Sequence, residues 1–423
     1  MSPPKGYRLE SLKVNRYRHV RPGTEVHFDE DWNLLLGKNG SGKTTLLDLI
    51  ACVVSGNFTA LDTEEYDLKF AIRMAWGLLE CGVRNELSSQ SPRAVAMDSV
   101  PSGTIHEPPD LRFSAHGRLI VDDPLDSFAI EIDNNGKVRL NGLEGPPTPI
   151  AFRRSLYGAM MSALPEWRSK TPPSVTYAST RFDEALIAFR TLVGKQQDPP
   201  LTEQLISLSH ELGAIRSASS TMLMPTDFWI ALFAAQRDDV EGPVISIPAN
   251  ALEFLSETTR LLGFKDASLR LPLRERNTSG RSTTSVYGPS VFQFTRENGA
   301  VVHHDHLSFG QKRLLALLHH VASNPHVVIA DELVNGFHHE MIEAVLQKME
   351  GRQRFLATQN PLLLDHVPFS STRDARARLI QCTTEDDQMV WSNLSEDDGE
   401  VFYAAYEAGI QHVGEILRTK GLW

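Results

Sequence analysis

The chain has 423 residues, 41% of them apolar and 22% charged, with 53 acidic against 42 basic side chains and a formal charge of −11. This balance excludes disorder as the default and gives no support for a wholesale electrostatic grip on nucleic acid, although a local basic groove stays open. Cys52, Cys81 and Cys382 have no paired spacing for structural zinc or a redox dithiol, the start MSPPKGYRLE lacks a signal-peptide core, and no apolar run approaches the ~18 residues of a membrane span, so a cytoplasmic protein with no membrane partner is expected.

In chain order, short mixed segments at Tyr7 to Val14 and Glu25 to Phe28 precede DWNLLLG, which reads as a buried strand. GKNGSGKTT follows at 37 to 45, and then the helical pattern TTLLDLIACVV. Strand, glycine loop and helix in succession form the context that GxxxxGK[ST] requires, because the loop must present backbone N–H groups at a helix N-terminus. Gly37, Asn39, Gly40, Ser41, Gly42, Lys43, Thr44 and Thr45 are therefore the expected nucleotide-binding residues. Lys43 would neutralise the outer phosphates, and the Thr44 hydroxyl would ligate Mg²⁺.

Residues 86 to 112 are rich in serine, proline and small polar residues, whereas 117 to 141 alternate apolar and polar around the turn signal Asp133-Asn134-Asn135-Gly136. The first third thus closes on a β-rich subdomain. From Phe182 to about Leu262, FDEALIAFRTLV, LTEQLISLSHELG and ALEFLSETTRLLG carry helical periodicity and predict a helical insert. The polar stretch ERNTSGRSTTSVYGPS, 275 to 290, reads as a mobile surface loop. These signals divide the chain into an N-terminal lobe, 1–180, a helical insert with its loop, 181–290, and a C-terminal lobe, 291–423.

Downstream, HHDH at 303 to 306 has metal-ligand residue types, but it is expected to be surface histidine rather than a zinc site. LSFGQ, 307 to 311, opens the helical pattern KRLLALLHHVA, and VVIADE, 327 to 332, is an apolar run ending in two acids. A buried parallel strand would deliver Asp331 to Mg²⁺ and Glu332 as general base to an attacking water. Ser308 also reads as a plain helix cap, though that would leave the neighbouring Gly310-Gln311 and the spacing to the acidic strand as coincidences.

Together, GKNGSGKTT, LSFGQ and VVIADE, with Ser308 placed 23 residues before Asp331, resemble the ABC-type ATPases, the superfamily of transporter subunits, SMC proteins and RecF. LVNGFHHEM is similar to the ENGLH-type segment of RecF-like and overcoming-lysogenisation-defect-like AAA-family ATPases: Asn335, Gly336 and His338 match, while Val334 stands where an acid often lies. His338 and His339 read equally as part of that segment or as plain surface or packing histidines. FLATQNP, 355 to 361, resembles the switch strand, with Gln359 in the place of the histidine, 27 residues after Glu332. Glutamine can hydrogen-bond a γ-phosphate or a water but cannot become cationic, so slow turnover is expected. Gln196 and Gln197 are weak candidates for the superfamily's Q-loop glutamine.

The resemblance implies an α/β phosphate-loop NTPase fold of ABC type, with a central mostly parallel sheet, an antiparallel β subdomain and a helical insert. It implies ATP and Mg²⁺ as cofactors, Lys43, Glu332 and Gln359 as catalytic residues, and Thr44 and Asp331 as metal ligands. It also implies a homodimer in which Ser308, Gly310 and Gln311 of one copy cap the ATP in the loop of the other. The gap of about 260 residues between Lys43 and Ser308 is long for a transporter subunit, and it lacks the sustained heptads of an SMC coiled coil. That leaves a compact ATPase similar to the stand-alone ATPases of bacterial anti-phage defence systems, acting on an effector partner, commonly a nuclease, with nucleic acid bound at most indirectly. A RecF-like repair ATPase acting directly on DNA and a transport-associated ATPase remain open. About 60 residues follow Pro361, too few for a nuclease, and Glu385, Asp386, Asp387, Glu396, Asp397 and Asp398 read as solvated loop charge. EVFYAAYEAGIQHVGEILRTKGLW reads as an amphipathic helix with Phe402, Ala405, Gly409, Ile410, Val413, Ile416 and Leu417 on one stripe, used for core packing or for docking a partner.

Overall fold

The computed structural model describes residues 7–74, 77–87, 111–121, 127–133, 137–140, 143–147, 205–211, 214–220, 224–238, 242–333, 336–358, 361–409 and 419. The fold is mixed α/β, with three sheets distributed over two compact units. One unit comprises Met1–Gly194, Ile329–Glu332 and Gly351–Trp423, and the other Lys195–Val328 and Leu333–Glu350. These units interleave along the chain, unlike the three consecutive segments expected from sequence.

The first unit opens with β1 (Arg8–Tyr17), β2 (Thr24–His27), β3 (Trp32–Leu36) and helix α1 (Lys43–Ser55). An antiparallel run follows: β4 (Tyr66–Met74), β5 (Gly77–Leu87), β6 (Leu111–Val121), β7 (Ser127–Ile132), β8 (Lys137–Leu140) and β9 (Leu143–Pro147). Eight strands pair in the order β2-β1-β4-β5-β6-β7-β8-β9. In β4, Tyr66, Leu68, Phe70, Ile72 and Met74 are buried on one face while Lys69 is exposed on the other, the period-2 signature of a sheet with one wet face. The hairpin read at Asp133 is framed as expected, with Ile132 opposite Val138 and the Asp133 N–H donating to the Lys137 carbonyl at 3.0 Å.

The second unit carries β10 (Ile206–Glu211), β11 (Ala214–Ser220), α2 (Thr226–Asp238), β12 (Val244–Pro248), α3 (Glu253–Leu261), β13 (Asp266–Ser279), β14 (Ser282–Tyr287), β15 (Val291–Thr295), β16 (Val301–His303) and α4 (Phe309–Ser323). Its seven-stranded sheet runs β11-β10-β14-β13-β15-β16, with β12 on β13. Two sequence expectations fail here. LTEQLISLSHELG is not helical over its described part: Ile206–Glu211 is a strand, because Ile206, Leu208 and His210 alternate with serines and all three are buried. Two serines in six residues also weaken helix propensity. The stretch 275–290 is not a loop but most of a hairpin, turning at Gly280 (φ 60°) between the paired Ser279 and Ser282. Its threonines suit a pleated surface, and the Thr278 and Thr283 hydroxyls meet across the strands at 3.2 Å. ALEFLSETTRLLG does yield α3, as predicted.

The chain then forms β17 (Val327–Asp331), α5 (His339–Lys348), β18 (Gln353–Ala357), α6 (Thr372–Arg378), β19 (Leu379–Glu385), β20 (Gln388–Asn393) and α7 (Glu396–Ala408). The third sheet has the order β17-β18-β3-β19-β20, with β3 parallel to both β18 and β19 and β20 antiparallel at the edge. Every residue of β3 and of β18 is buried, as a central strand covered on both faces requires. Gln353 ties this sheet to β1: its Oε1 accepts from the Leu9 N–H and its Nε2 donates to the Leu9 carbonyl, both at 2.8 Å.

The acids at 396–398 are not loop charge. They form the first turn of α7, where they complement the helix dipole, and the Ser395 hydroxyl caps that turn by accepting from the Asp398 N–H at 3.1 Å. Asp386 and Asp387 do lie in a turn, both with positive φ, between β19 and β20. Helix α7 ends at Ala408, and Gly409 takes φ 116°. Phe402 and Ala405 are buried as the core-packing reading requires, and the stripe from Ile410 to Leu417 lies outside the described residues. Among the described residues no helix is long and apolar enough to cross a membrane.

Candidate functional site

The loop from Gly37 to Gly42 joins the C-terminal end of β3 to α1. Gly40 and Gly42 both have positive φ, 81° and 86°, which lets the chain curl where a Cβ would be strained. A Cβ on Gly37 would lie 2.5 Å from the Ser41 hydroxyl and 2.3 Å from the Cys382 carbonyl. Asn39 and Gly40 sit at the exposed crest, whereas Ser41 is buried and its hydroxyl has no hydrogen-bond partner among the described residues. Lys43 is also buried, and its ammonium folds back to donate to the carbonyls of Gly37 (2.6 Å) and Lys38 (3.0 Å). Thr45 is half-buried in the first turn of α1.

The Thr44 hydroxyl donates to Asp331 Oδ2 at 2.7 Å, joining the start of α1 to the end of β17 across 287 residues of sequence. Glu332 follows in the left-handed region, φ 52°, with its N–H held by the Ala357 carbonyl at 2.8 Å. Thr358, just beyond β18, is buried. Gln359 lies outside the described residues, as do Asn335, Val334, Gln196 and Gln197.

This cradle fits a phosphate-bearing ligand. It combines a helix N-terminus, an orphaned buried hydroxyl, a lysine with only loop carbonyls to replace, and a glycine position that any side chain would fill. A divalent cation fits the paired Thr44 hydroxyl and Asp331 carboxylate, which are hard oxygen donors at the mouth of the loop.

Residues 181–365 match a family described as "AAA domain, putative AbiEii toxin, Type IV TA system", and residues 8–78 match one described as "AAA ATPase domain". Two stretches of the chain are therefore similar to AAA domain sequence. The glycine loop falls in the second match, and LSFGQ and the acid pair fall in the first. No curated protein matches the chain. Among solved structures, the SMC head domain of Thermotoga maritima is 13% identical, covers 92% of this chain and 99% of its own, and superposes with a TM-score of 0.34. An Smc head domain from Pyrococcus yayanosii is 10% identical, covering 95% and 100%, with a TM-score of 0.40. The recombination mediator protein RecF with ATP is 13% identical, covering 93% and 99%, with a TM-score of 0.36. Scores this low assign no activity.

In the second unit, Ser308 and Gln311 form a reciprocal cap at the start of α4. The Ser308 hydroxyl accepts from the Gln311 N–H at 3.3 Å, and the Gln311 side chain accepts from the Ser308 N–H at 2.9 Å. The plain helix cap open in the sequence is thus present, with Ser308 exposed and Gln311 half-buried. Gly310 is needed there, because a Cβ would lie 2.4 Å from the Gly336 carbonyl. Phe309 between them is exposed. His338 is exposed at the N-cap of α5, and His339 faces Glu343 at 3.3 Å, so both are surface histidines.

HHDH departs from its surface reading at one position. His304 is buried, and its Nδ1 accepts from the Phe292 N–H at 3.2 Å. In the neutral ring that leaves the proton on Nε2, which faces Asp305 Oδ1 at 3.3 Å. His303, His304 and Asp305 do bring their ligand atoms within 4.8 Å of one another. With the His304 lone pair already used, this is a hydrogen-bonded corner before LSFGQ rather than a metal cradle. Burial first, and the neighbouring His303 second, hold the His304 pKa below the ordinary histidine value.

Sequence reasoning missed what lies beneath the glycine loop. The Trp391 indole N–H donates to the Ser41 carbonyl at 3.4 Å, and a Cβ on Gly42 would lie 2.3 Å from Met389 Sδ. Cys382 closes the floor below Gly37, and burial pushes its thiol up to about 12. All three come from β19 and β20, some 340 to 350 residues away, and no local pattern marks them.

Proposed function

We propose that this chain binds ATP with Mg²⁺ and hydrolyses it slowly as a homodimer. Each ATP would lie between residues 37–45 of one copy and Ser308, Gly310 and Gln311 of the other. The observation that carries the reading is the Thr44–Asp331 hydrogen bond, which sets a loop hydroxyl and a strand-end carboxylate side by side from opposite parts of the chain. In this reading Lys43 exchanges its loop carbonyls for phosphate oxygens, and the Ser41 hydroxyl gains the partner it lacks. Thr44 and Asp331 would hold Mg²⁺, which when bound supplies positive charge to the phosphates. Glu332 accepts the proton of the attacking water, and Gln359, unable to carry charge, leaves turnover slow.

The dimer reading draws support from the separation of the two halves: the loop sits in one compact unit and the signature in the other. The capping box at Ser308 is compatible with an anion, since exposed helix N-terminal N–H groups attract negative charge. The family description in terms of a toxin–antitoxin system supports a role beside a partner protein, which we propose to be an effector such as a nuclease in a prokaryotic defence or repair complex.

Titration with a fluorescent ATP analogue in the presence and absence of Mg²⁺, followed by light scattering, tests both parts. Wild type is expected to bind and Lys43→Ala to lose binding. Glu332→Gln is expected to retain ATP and accumulate as a dimer. Binding by Lys43→Ala equal to wild type would remove the loop from the reading, and a strictly monomeric, ATP-loaded Glu332→Gln would remove the sandwich.

A further inference from the structure

A loop that holds an anion through backbone N–H groups must aim those groups the same way, and in a trans peptide the carbonyl then points the opposite way. In the turn from Ser41 to Gly42, the N–H belongs to Gly42 and the carbonyl to Ser41. That carbonyl is met from the inner side by the indole N–H of Trp391, a residue only 1% exposed. The peptide is therefore pinned by its inner end, with the Gly42 N–H on the outer side. Behind it, the space a Cβ on Gly42 would need is filled by the Met389 thioether, at 2.3 Å, and by the indole nitrogen itself, at 3.1 Å.

Met389 is itself anchored. Its N–H donates to the His19 carbonyl at 2.8 Å, and its carbonyl accepts from the Arg21 N–H at 2.9 Å, so β20 is clamped to the segment between β1 and β2. The chain places a rigid, doubly hydrogen-bonded strand under the one turn of the loop whose orientation decides which face is a donor.

We infer that Trp391 and Met389 are positioning residues for nucleotide binding: they lock the Ser41–Gly42 peptide with its N–H outward, so that the phosphate site is formed before any ligand arrives. This inference rests on the proposed nucleotide site. Neither residue touches the ligand side of the loop, and both act through the backbone. Without the indole N–H, the Ser41 carbonyl would be buried with no donor, and a flipped peptide that turns it toward solvent becomes competitive.

The test measures affinity for a fluorescent ATP analogue alongside thermal stability without nucleotide. Trp391→Phe keeps an aromatic ring and removes only the donor. Its affinity is expected to fall by about 2- to 12-fold, the equivalent of one net hydrogen bond. Met389→Ala, which opens the space behind Gly42, is expected to lower affinity in the same direction, whereas Met389→Leu keeps the volume and stays near wild type. Phe369→Leu, in the contact with Phe402 and Tyr406, serves as a core variant of comparable instability that leaves affinity unchanged. If Trp391→Phe and Met389→Ala both bind as tightly as wild type, or if Phe369→Leu loses as much affinity as they do, the positioning role is wrong. If wild type and Lys43→Ala bind alike, the nucleotide site fails first, and the two outcomes are distinguishable.

Discussion

Glu332 offers a prediction in which the sign alone is decisive. Its φ of 52° lies in the left-handed region, where an L-residue costs roughly 1–2 kcal/mol because Cβ approaches the following carbonyl oxygen. Its N–H is held by the Ala357 carbonyl at 2.8 Å, so the backbone cannot relax without losing that bond. At an ordinary position, alanine is more stable than glycine by about 0.4–1 kcal/mol, since glycine has more unfolded-state freedom to lose. At residue 332 alanine keeps the strain and glycine sheds it, so Glu332→Gly is expected to exceed Glu332→Ala by about 0.5–1 kcal/mol. Chemical denaturation of the two variants side by side, followed by tryptophan emission, measures the difference. Both also lack the carboxylate, and ATP hydrolysis should fall by roughly 10²- to 10⁴-fold if Glu332 is the base. An alanine variant more stable than the glycine variant would refute the strain argument. Full hydrolysis by either would refute the catalytic one.

The other expectations concern separate parts of the molecule. Gly310→Ala sets a Cβ 2.4 Å from the Gly336 carbonyl, and overpacking of about 1–3 kcal/mol should outweigh the ~1 kcal/mol helix-propensity gain, lowering the melting temperature. Ser395→Ala removes the cap of α7 and should cost about 1 kcal/mol, read by denaturant midpoint. Burial pushes the thiols of Cys52, Cys81 and Cys382 each up to about 12, so a thiol reagent at pH 8 should label none of them before unfolding and all three after. His319 is buried against Phe254, and burial pushes its pKa down to about 3 from 6.5. Between those values the unfolded chain binds the extra proton, so stability falls as pH drops from 6.5 toward 3, by at most ~1.4 kcal/mol per pH unit. His319→Phe should flatten that slope in pH-dependent melts, and an unchanged slope would remove His319 as its source.

The legible parts of the sequence were those whose physics is local. GKNGSGKTT announces its own geometry: glycines at 40 and 42 take positive φ, and the helix starts at Lys43, as the spacing demands. WNLLL and VVIAD are short, mostly apolar runs, and they lie together in one sheet. ISLSHE misled because period 2 and period 3.6 both fit a short window, and only burial of Ile206, Leu208 and His210 on one face decides between them. The polar run at 275–290 misled for a different reason. Serines and threonines signal loops by composition, yet their β-branched members pair well across a hairpin. EDD at 396–398 resembles solvated charge by composition, and only the capping serine just before it marks a helix start.

What no local reading supplies is the far side of the loop. The motif states which atoms should face a phosphate, but an N–H can be aimed only if its peptide is held from behind, and the residues that hold it, Met389 and Trp391, are more than 300 positions away in an unremarkable edge strand. The same logic governs Lys43 and Thr44, whose polar atoms are already satisfied, by the Gly37 and Lys38 carbonyls and by Asp331. At Lys43 and Thr44 a ligand would exchange partners instead of creating them, so the net gain per contact there is the ~0.5–1.5 kcal/mol of a swapped hydrogen bond rather than the several kcal/mol of an isolated one. Affinity must then come from many such exchanges made together on a loop that does not have to reorganise, and that requirement is why the strand beneath it matters beside the lysine above.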